Sequence, residues 1–197
     1  MDLFNSPVLL VEQPKEVFAV ESKYTVFNPH GQPVAIVGEP NLSGGKKAMR
    51  FIFSDYSNNT RHTLHVMRPD GMPMLIIDKP FALLTPKVQI TWPNGQPVGA
   101  IQCHFGLKPR FTLLDPWERQ LGEIRGDFFG WDFTISDWQG VEVARVNKQW
   151  EGLAAAWFTT ADRYAVQLRY QLPDPLRTLV IATAITIDVV LRENKGR

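Results

Sequence analysis

A strand, a tight turn and a second strand recur along this chain, and that repeat restricts its possible folds more than any other feature. Copies begin at Tyr24, Leu64 and Val88, with two looser copies from Phe111 and Phe133. The first three turns share Pro-x-Gly-x-Pro, spanning Pro29 to Pro33, Pro69 to Pro73 and Pro93 to Pro97. Proline at the second turn position presets φ, Asp70 or Asn94 suits the next place, and glycine can then turn left-handed and return the chain antiparallel. The flanks alternate as half-buried strands do, as in Val88-Gln89-Ile90-Thr91-Trp92. A single motif of this kind is weak evidence, but five copies in order predict a β-meander.

Five hairpins supply ten strands. Lys47 to Asp55 reads as an eleventh and Tyr164 to Tyr170 as a twelfth, while Val8 to Val11 adds a short edge strand. No linker or low-complexity segment divides the chain, so residues 1–197 are expected to form a single domain. A meander this large leaves two exposed edges unless it closes on itself. About twelve strands then enclose more space than their own side chains easily fill.

The sequence offers a filler near its end. Leu176 to Leu191 is apolar on every side, and even Thr178, Thr183 and Thr186 form no wet face. Asp174 can cap the free N–H groups and Pro175 is tolerated at a helix start, which predicts a helix over about 174–192. From Pro175 to Arg192 it would run roughly 27 Å, close to the height of a tilted-strand barrel. A membrane span needs about 20 mainly apolar residues. This run has sixteen, with Arg177 near its start and Asp188 inside it. An unpaired aspartate deep in a bilayer costs on the order of 3 kcal/mol. The helix is therefore expected inside a closed antiparallel barrel rather than across a membrane, with Asp188 bonded near one mouth.

Other features narrow the function by exclusion. The net charge of +1 gives no global field to attract nucleic acid or an acidic membrane. The lone Cys103 and a start without a basic, apolar leader suit a cytoplasmic protein, soluble or peripheral at a membrane. Cys103 and His104 are neighbours on a strand, so they point to opposite faces and cannot pair as nucleophile and base. His62 and His65, three apart, are likewise opposed. Gly44-Gly45-Lys46-Lys47 fails as a phosphate loop, with Pro40 at the first glycine position and Lys47 in place of Ser or Thr. These residues point to no enzyme, metal or cofactor.

Two binding candidates remain. Lys46, Lys47 and Arg50 follow the flexible Gly44-Gly45 pair and could hold the phosphate of an anionic phospholipid headgroup. Trp117 and Trp138 stand in turns, where exposed aromatics anchor at a membrane or a protein partner.

The C-terminal third also carries a family resemblance. Thr160-Ala161-Asp162 before the strand from Tyr164, then Asp174-Pro175-Leu176 and a run ending Ile187-Asp188, resembles the phospholipid scramblases and the related LURP-one group. Trp131-Asp132-Phe133, Val143 to Val146 and Lys148-Gln149-Trp150 are similar to the preceding hairpin of that family. The resemblance implies the Tubby C-terminal-like fold, a twelve-stranded barrel around a hydrophobic helix, and non-catalytic binding of lipid or phosphoinositide headgroups at a membrane surface, the alternative being a soluble protein-interaction or regulatory module with no lipid activity. It also implies a calcium-binding acidic segment. Here that segment has Asp162 as its one carboxylate, beside Arg163, so calcium is not expected to bind.

Overall fold

A computed structural model describes residues 2–12, 24–39, 61–81, 85–104, 106, 110–127, 130–148 and 163–194, apart from the side chains of His62 and of the helix beyond Ile187. Each of the five repeats is a hairpin: β2 (Tyr24–Phe27) with β3 (Pro33–Gly38), β4 (His62–Met67) with β5 (Pro73–Lys79), β6 (Lys87–Thr91) with β7 (Pro97–His104), β8 (Arg110–Leu114) with β9 (Gln120–Asp127), and β10 (Asp132–Asp137) with β11 (Glu142–Asn147). β1 (Val8–Glu12) and β12 (Arg163–Leu168) complete the set.

All five turns have one geometry. The N–H of the first turn residue donates to the carbonyl four residues on, and the fourth residue's N–H donates back to the first carbonyl. The donor–acceptor distances are 2.8–3.0 Å, from Asn28 and Gln32 through to Asp137 and Val141. The ladder slips by one residue beside every turn. This is a type I turn closed by a bulge, which requires a left-handed residue at the fourth place. Gly31, Gly71, Gly95 and Gly140 meet that demand with φ of 74–89°. The fourth hairpin puts Glu118 there instead, at φ 64°.

The strands run in the order β1-β12-β11-β10-β9-β8-β7-β6-β5-β4-β3-β2, every pair antiparallel, and the ladder closes on itself. Closure depends on β1. Val8–Glu12 pairs with Gln167–Arg163 on one side and Leu10–Glu12 with Phe27–Thr25 on the other. The expectation of an edge strand at Val8 to Val11 is therefore corrected: this strand seals the barrel. Glu12 stands opposite Arg163, and their side chains meet at 2.6 Å across the seam. β3 pairs directly with β4, and the strand expected over Lys47 to Asp55 lies outside the described residues.

The helix, α1 (Leu176–Asn194), fills the barrel. It begins two residues later than the expected bound at Asp174, which caps it. The Asp174 carboxylate accepts the Thr178 hydroxyl at 2.7 Å and the Thr178 N–H at 3.3 Å. From Leu179 to Ile187 every side chain is buried. They pack against inward residues from all around the wall, among them Val26, Leu75, Ile101, Leu113, Phe133 and Val166. The position of Asp188's side chain lies outside the described residues. α1 enters at the end carrying the five hairpin turns, called here the hairpin end, and runs toward the loop end. Leu3 and Phe4 close the hairpin end, with Phe4 tilted on Trp92 at 5.9 Å.

Candidate functional site

A barrel filled by a helix leaves its surfaces and rims for function. Among the described residues Lys79 and Cys103 are both buried near the loop end, where burial pushes the thiol up to about 12. His104 points the other way, with Nε2 3.0 Å from the Thr112 hydroxyl. The two residues therefore face opposite sides of β7, as strand alternation requires. Among the described residues no group of three His, Cys, Asp or Glu side chains gathers in metal-binding geometry. Asp162 lies outside them.

The loop end holds a buried aromatic group. Trp131 stacks on Tyr164 at 5.3 Å and meets Phe133 edge-on, while the Lys148 ammonium sits 5.2 Å over its ring. Trp131 is only 5% exposed and belongs to the core.

The hairpin end differs. Trp117, in the turn between β8 and β9, is 74% exposed, and Trp138, in the next turn, is 69% exposed. Each turn is tied by an aspartate, so each indole rides on a fixed base. Asp115 accepts the N–H groups of Trp117 and Arg119 at 2.8 and 2.9 Å, and the Arg119 Nε at 2.6 Å. Asp137 accepts those of Gln139 and Val141, both at 2.9 Å. The Arg119 guanidinium lies 5.1 Å over the Trp117 ring. Sequence reasoning missed three further exposed apolar residues at this end: Met72, Val141 and Tyr170. Val141 is the closing residue of its turn. Tyr170 reads as part of a strand in sequence, but β12 stops at Leu168 and leaves it on the rim. The basic candidates Lys46, Lys47 and Arg50 lie outside the described residues, between β3 and β4.

Carboxylates at both ends of the barrel are held as anions. Burial alone would push Asp115 up, but the N–H and guanidinium of Arg119 and the Trp117 N–H together hold it below the usual range. The Met72 N–H and Arg68 do the same for Asp70, and Arg145 for Asp132. For Asp78, burial opposes the larger combined pull of Arg61 and Thr63. A lowered folded pKa contributes stability above the unfolded value, and that stability is lost as pH falls through the folded one. The melting temperature is thus expected to hold from neutrality to about pH 4.5 and to fall steadily below about pH 4. Thermal scans across that range check it; a rise on acidification would contradict the assignment.

Fold and rim together can be set beside known proteins. The sequence matches the Scramblase family over residues 3–194, nearly its whole length. The chain belongs to the Scramblase family. The match runs through every strand of the barrel and through α1 of this scramblase-family chain. It is also similar to the Altered inheritance rate of mitochondria protein 25 of Saccharomyces cerevisiae, at 22% identity over 200 residues. That alignment covers 86% of this chain and 60% of the yeast protein, so the chain spans less than two thirds of its relative's length. The X-ray structure of a protein from Arabidopsis thaliana shares the fold, with a TM-score of 0.59 at 8% identity, covering 95% of this chain and 94% of the plant one. No helix among the described residues is long and apolar enough to cross a membrane.

Proposed function

We propose that this scramblase-family protein binds phospholipid headgroups at a membrane surface and performs no chemical turnover. The observation that carries the reading is the family match over residues 3–194. The burial of α1 inside the barrel supports attachment to the surface rather than insertion, because its apolar side chains are already satisfied by the wall. Moving lipid between leaflets would need a hydrophilic path across the bilayer, and a barrel plugged by an apolar helix supplies none. Lys46, Lys47 and Arg50 are the proposed headgroup contacts, on the strength of their clustering after Gly44-Gly45. Attachment would place the protein at the cytoplasmic side of a membrane.

Co-sedimentation with anionic vesicles tests this. The wild type is expected to pellet with them, and Lys46→Glu/Lys47→Glu to lose most of that binding. No binding to any lipid mixture would remove the reading. The exposure of Trp117 and Trp138 favours one alternative, a protein-interaction module without lipid activity. Binding of a soluble partner that is lost on alanine substitution at both positions, with no vesicle binding, would establish it.

A further inference from the structure

Five of the six large apolar side chains exposed among the described residues sit at one end of the barrel: Met72, Trp117, Trp138, Val141 and Tyr170. The sixth, Phe81, follows β5 at the loop end. Trp117, Trp138 and Tyr170 come from consecutive positions around the wall, after β8, β10 and β12. Two tryptophans and a tyrosine on one rim match the side chains that settle at headgroup depth, with an apolar ring inward and a polar edge in water.

The charges of this end say which lipid suits it. Arg68, Lys87, Arg119, Arg169 and Arg177 stand against Asp2, Asp70, Asp115, Glu118, Asp137, Glu142 and Asp174, a local balance of −2 in a chain of +1. Four of these five cations are held by a carboxylate of the same rim: Arg68 by Asp70, Lys87 by Glu118, Arg119 by Asp115 at 2.6 Å, and Arg169 by Glu142, its Nε at 2.8 Å. An acidic lipid surface would be repelled by this end, whereas a neutral one would not. Arg119 beside Trp117 remains 72% exposed and can still reach a headgroup phosphate.

We propose that the hairpin end seats on a zwitterionic lipid surface through Trp117, Trp138 and Tyr170. This deepens the membrane-surface reading and rests on it. It also assigns the contact to side chains other than Lys46, Lys47 and Arg50, which can be substituted independently. The two contacts can therefore fail separately.

Flotation with vesicles of phosphatidylcholine alone, and of phosphatidylcholine mixed with phosphatidylserine, is the test. The wild type is expected to float with phosphatidylcholine. Trp117→Ala/Trp138→Ala should lower that partition on the order of tenfold or more, while Phe81→Ala, exposed at the loop end, leaves it unchanged; Lys46→Glu/Lys47→Glu is assayed beside them. Both tryptophans are exposed turn residues, and an unshifted melting temperature will show that the variant folds. As an independent readout, brominated phosphatidylcholine should quench wild-type tryptophan emission, and Trp117→Phe/Trp138→Phe should lose most of that quenching. If the double alanine variant floats like the wild type while the lysine variant does not, the rim proposal falls and the membrane-surface reading stands. If the wild type floats with neither vesicle, both fall.

Discussion

Gly126→Ala is expected to destabilise this protein by about 3 kcal/mol, an overpacking cost at the upper end of the usual range. On a domain of this size that is a fall of roughly 6–12 °C in melting temperature. Gly126 lies on β9 opposite Phe133 of β10. A Cβ placed there would sit 2.1 Å from the Asp132 carbonyl oxygen and 2.6 Å from the Phe133 Cα. Both obstacles are backbone, so no side chain can swing aside, and the strands must part. Gly122 repeats the arrangement with the Ser136 carbonyl at 2.4 Å. Gly99 on β7 repeats it with that of Leu114 at 2.2 Å, and there Leu179 of α1 also closes to 3.1 Å. Glycines in strands often mark such close backbone approaches, which let a sheet curve into a barrel.

Two controls separate this effect from a general cost of removing glycine. Gly106 has nothing within 4 Å of a built Cβ, so Gly106→Ala should change stability by about 0.5 kcal/mol or less. Gly95 also has open space but holds φ at 84°, so Gly95→Ala should cost about 1 kcal/mol from backbone strain alone. Chemical denaturation of the three variants gives the ranking. A Gly126→Ala protein as stable as Gly106→Ala would show that β9 and β10 are not this close.

The hairpin plan is legible in sequence because it is local. Turn residues four apart dictate their own geometry, and Pro29, Gly31, Asp70 and Asn94 announce it. Glu118 shows the limit of reading by residue type. It occupies the left-handed position without being a glycine, because the flanking bonds of Asp115 to Trp117 and Arg119 define the turn around it. The role of β1 was not legible. Whether Val8–Glu12 is an edge or a seam depends on partners about 150 residues away, and nothing in its own five residues records them. The rim is intermediate. Trp117 and Trp138 stand out as turn aromatics, but Tyr170 joins them only because β12 ends two residues before it.

Ala184→Asp should abolish the folded state at neutral pH. Ala184 is fully buried on α1, midway along the part that touches the wall. A carboxylate there would enter the apolar core cluster, and an uncompensated buried charge costs several kcal/mol, comparable to the total stability of a domain. The opposite change is available one turn away from Ala182. Thr186 is 1% exposed and its hydroxyl has no hydrogen-bond partner among the described residues. Thr186→Val keeps the shape and removes an unsatisfied polar group, so it should stabilise by about 1 kcal/mol. Thr183→Val is the comparison, because the Thr183 hydroxyl donates to the Leu179 carbonyl at 2.9 Å and loses a bond as well as a polar atom. Its effect should be near zero. Circular dichroism and denaturant titration of the detergent-free protein read all three. This pattern follows only if α1 is packed in a dry barrel interior. If α1 left the barrel to lie in lipid, Ala184→Asp would leave the barrel's own melting unaltered, and neither threonine change would register in it.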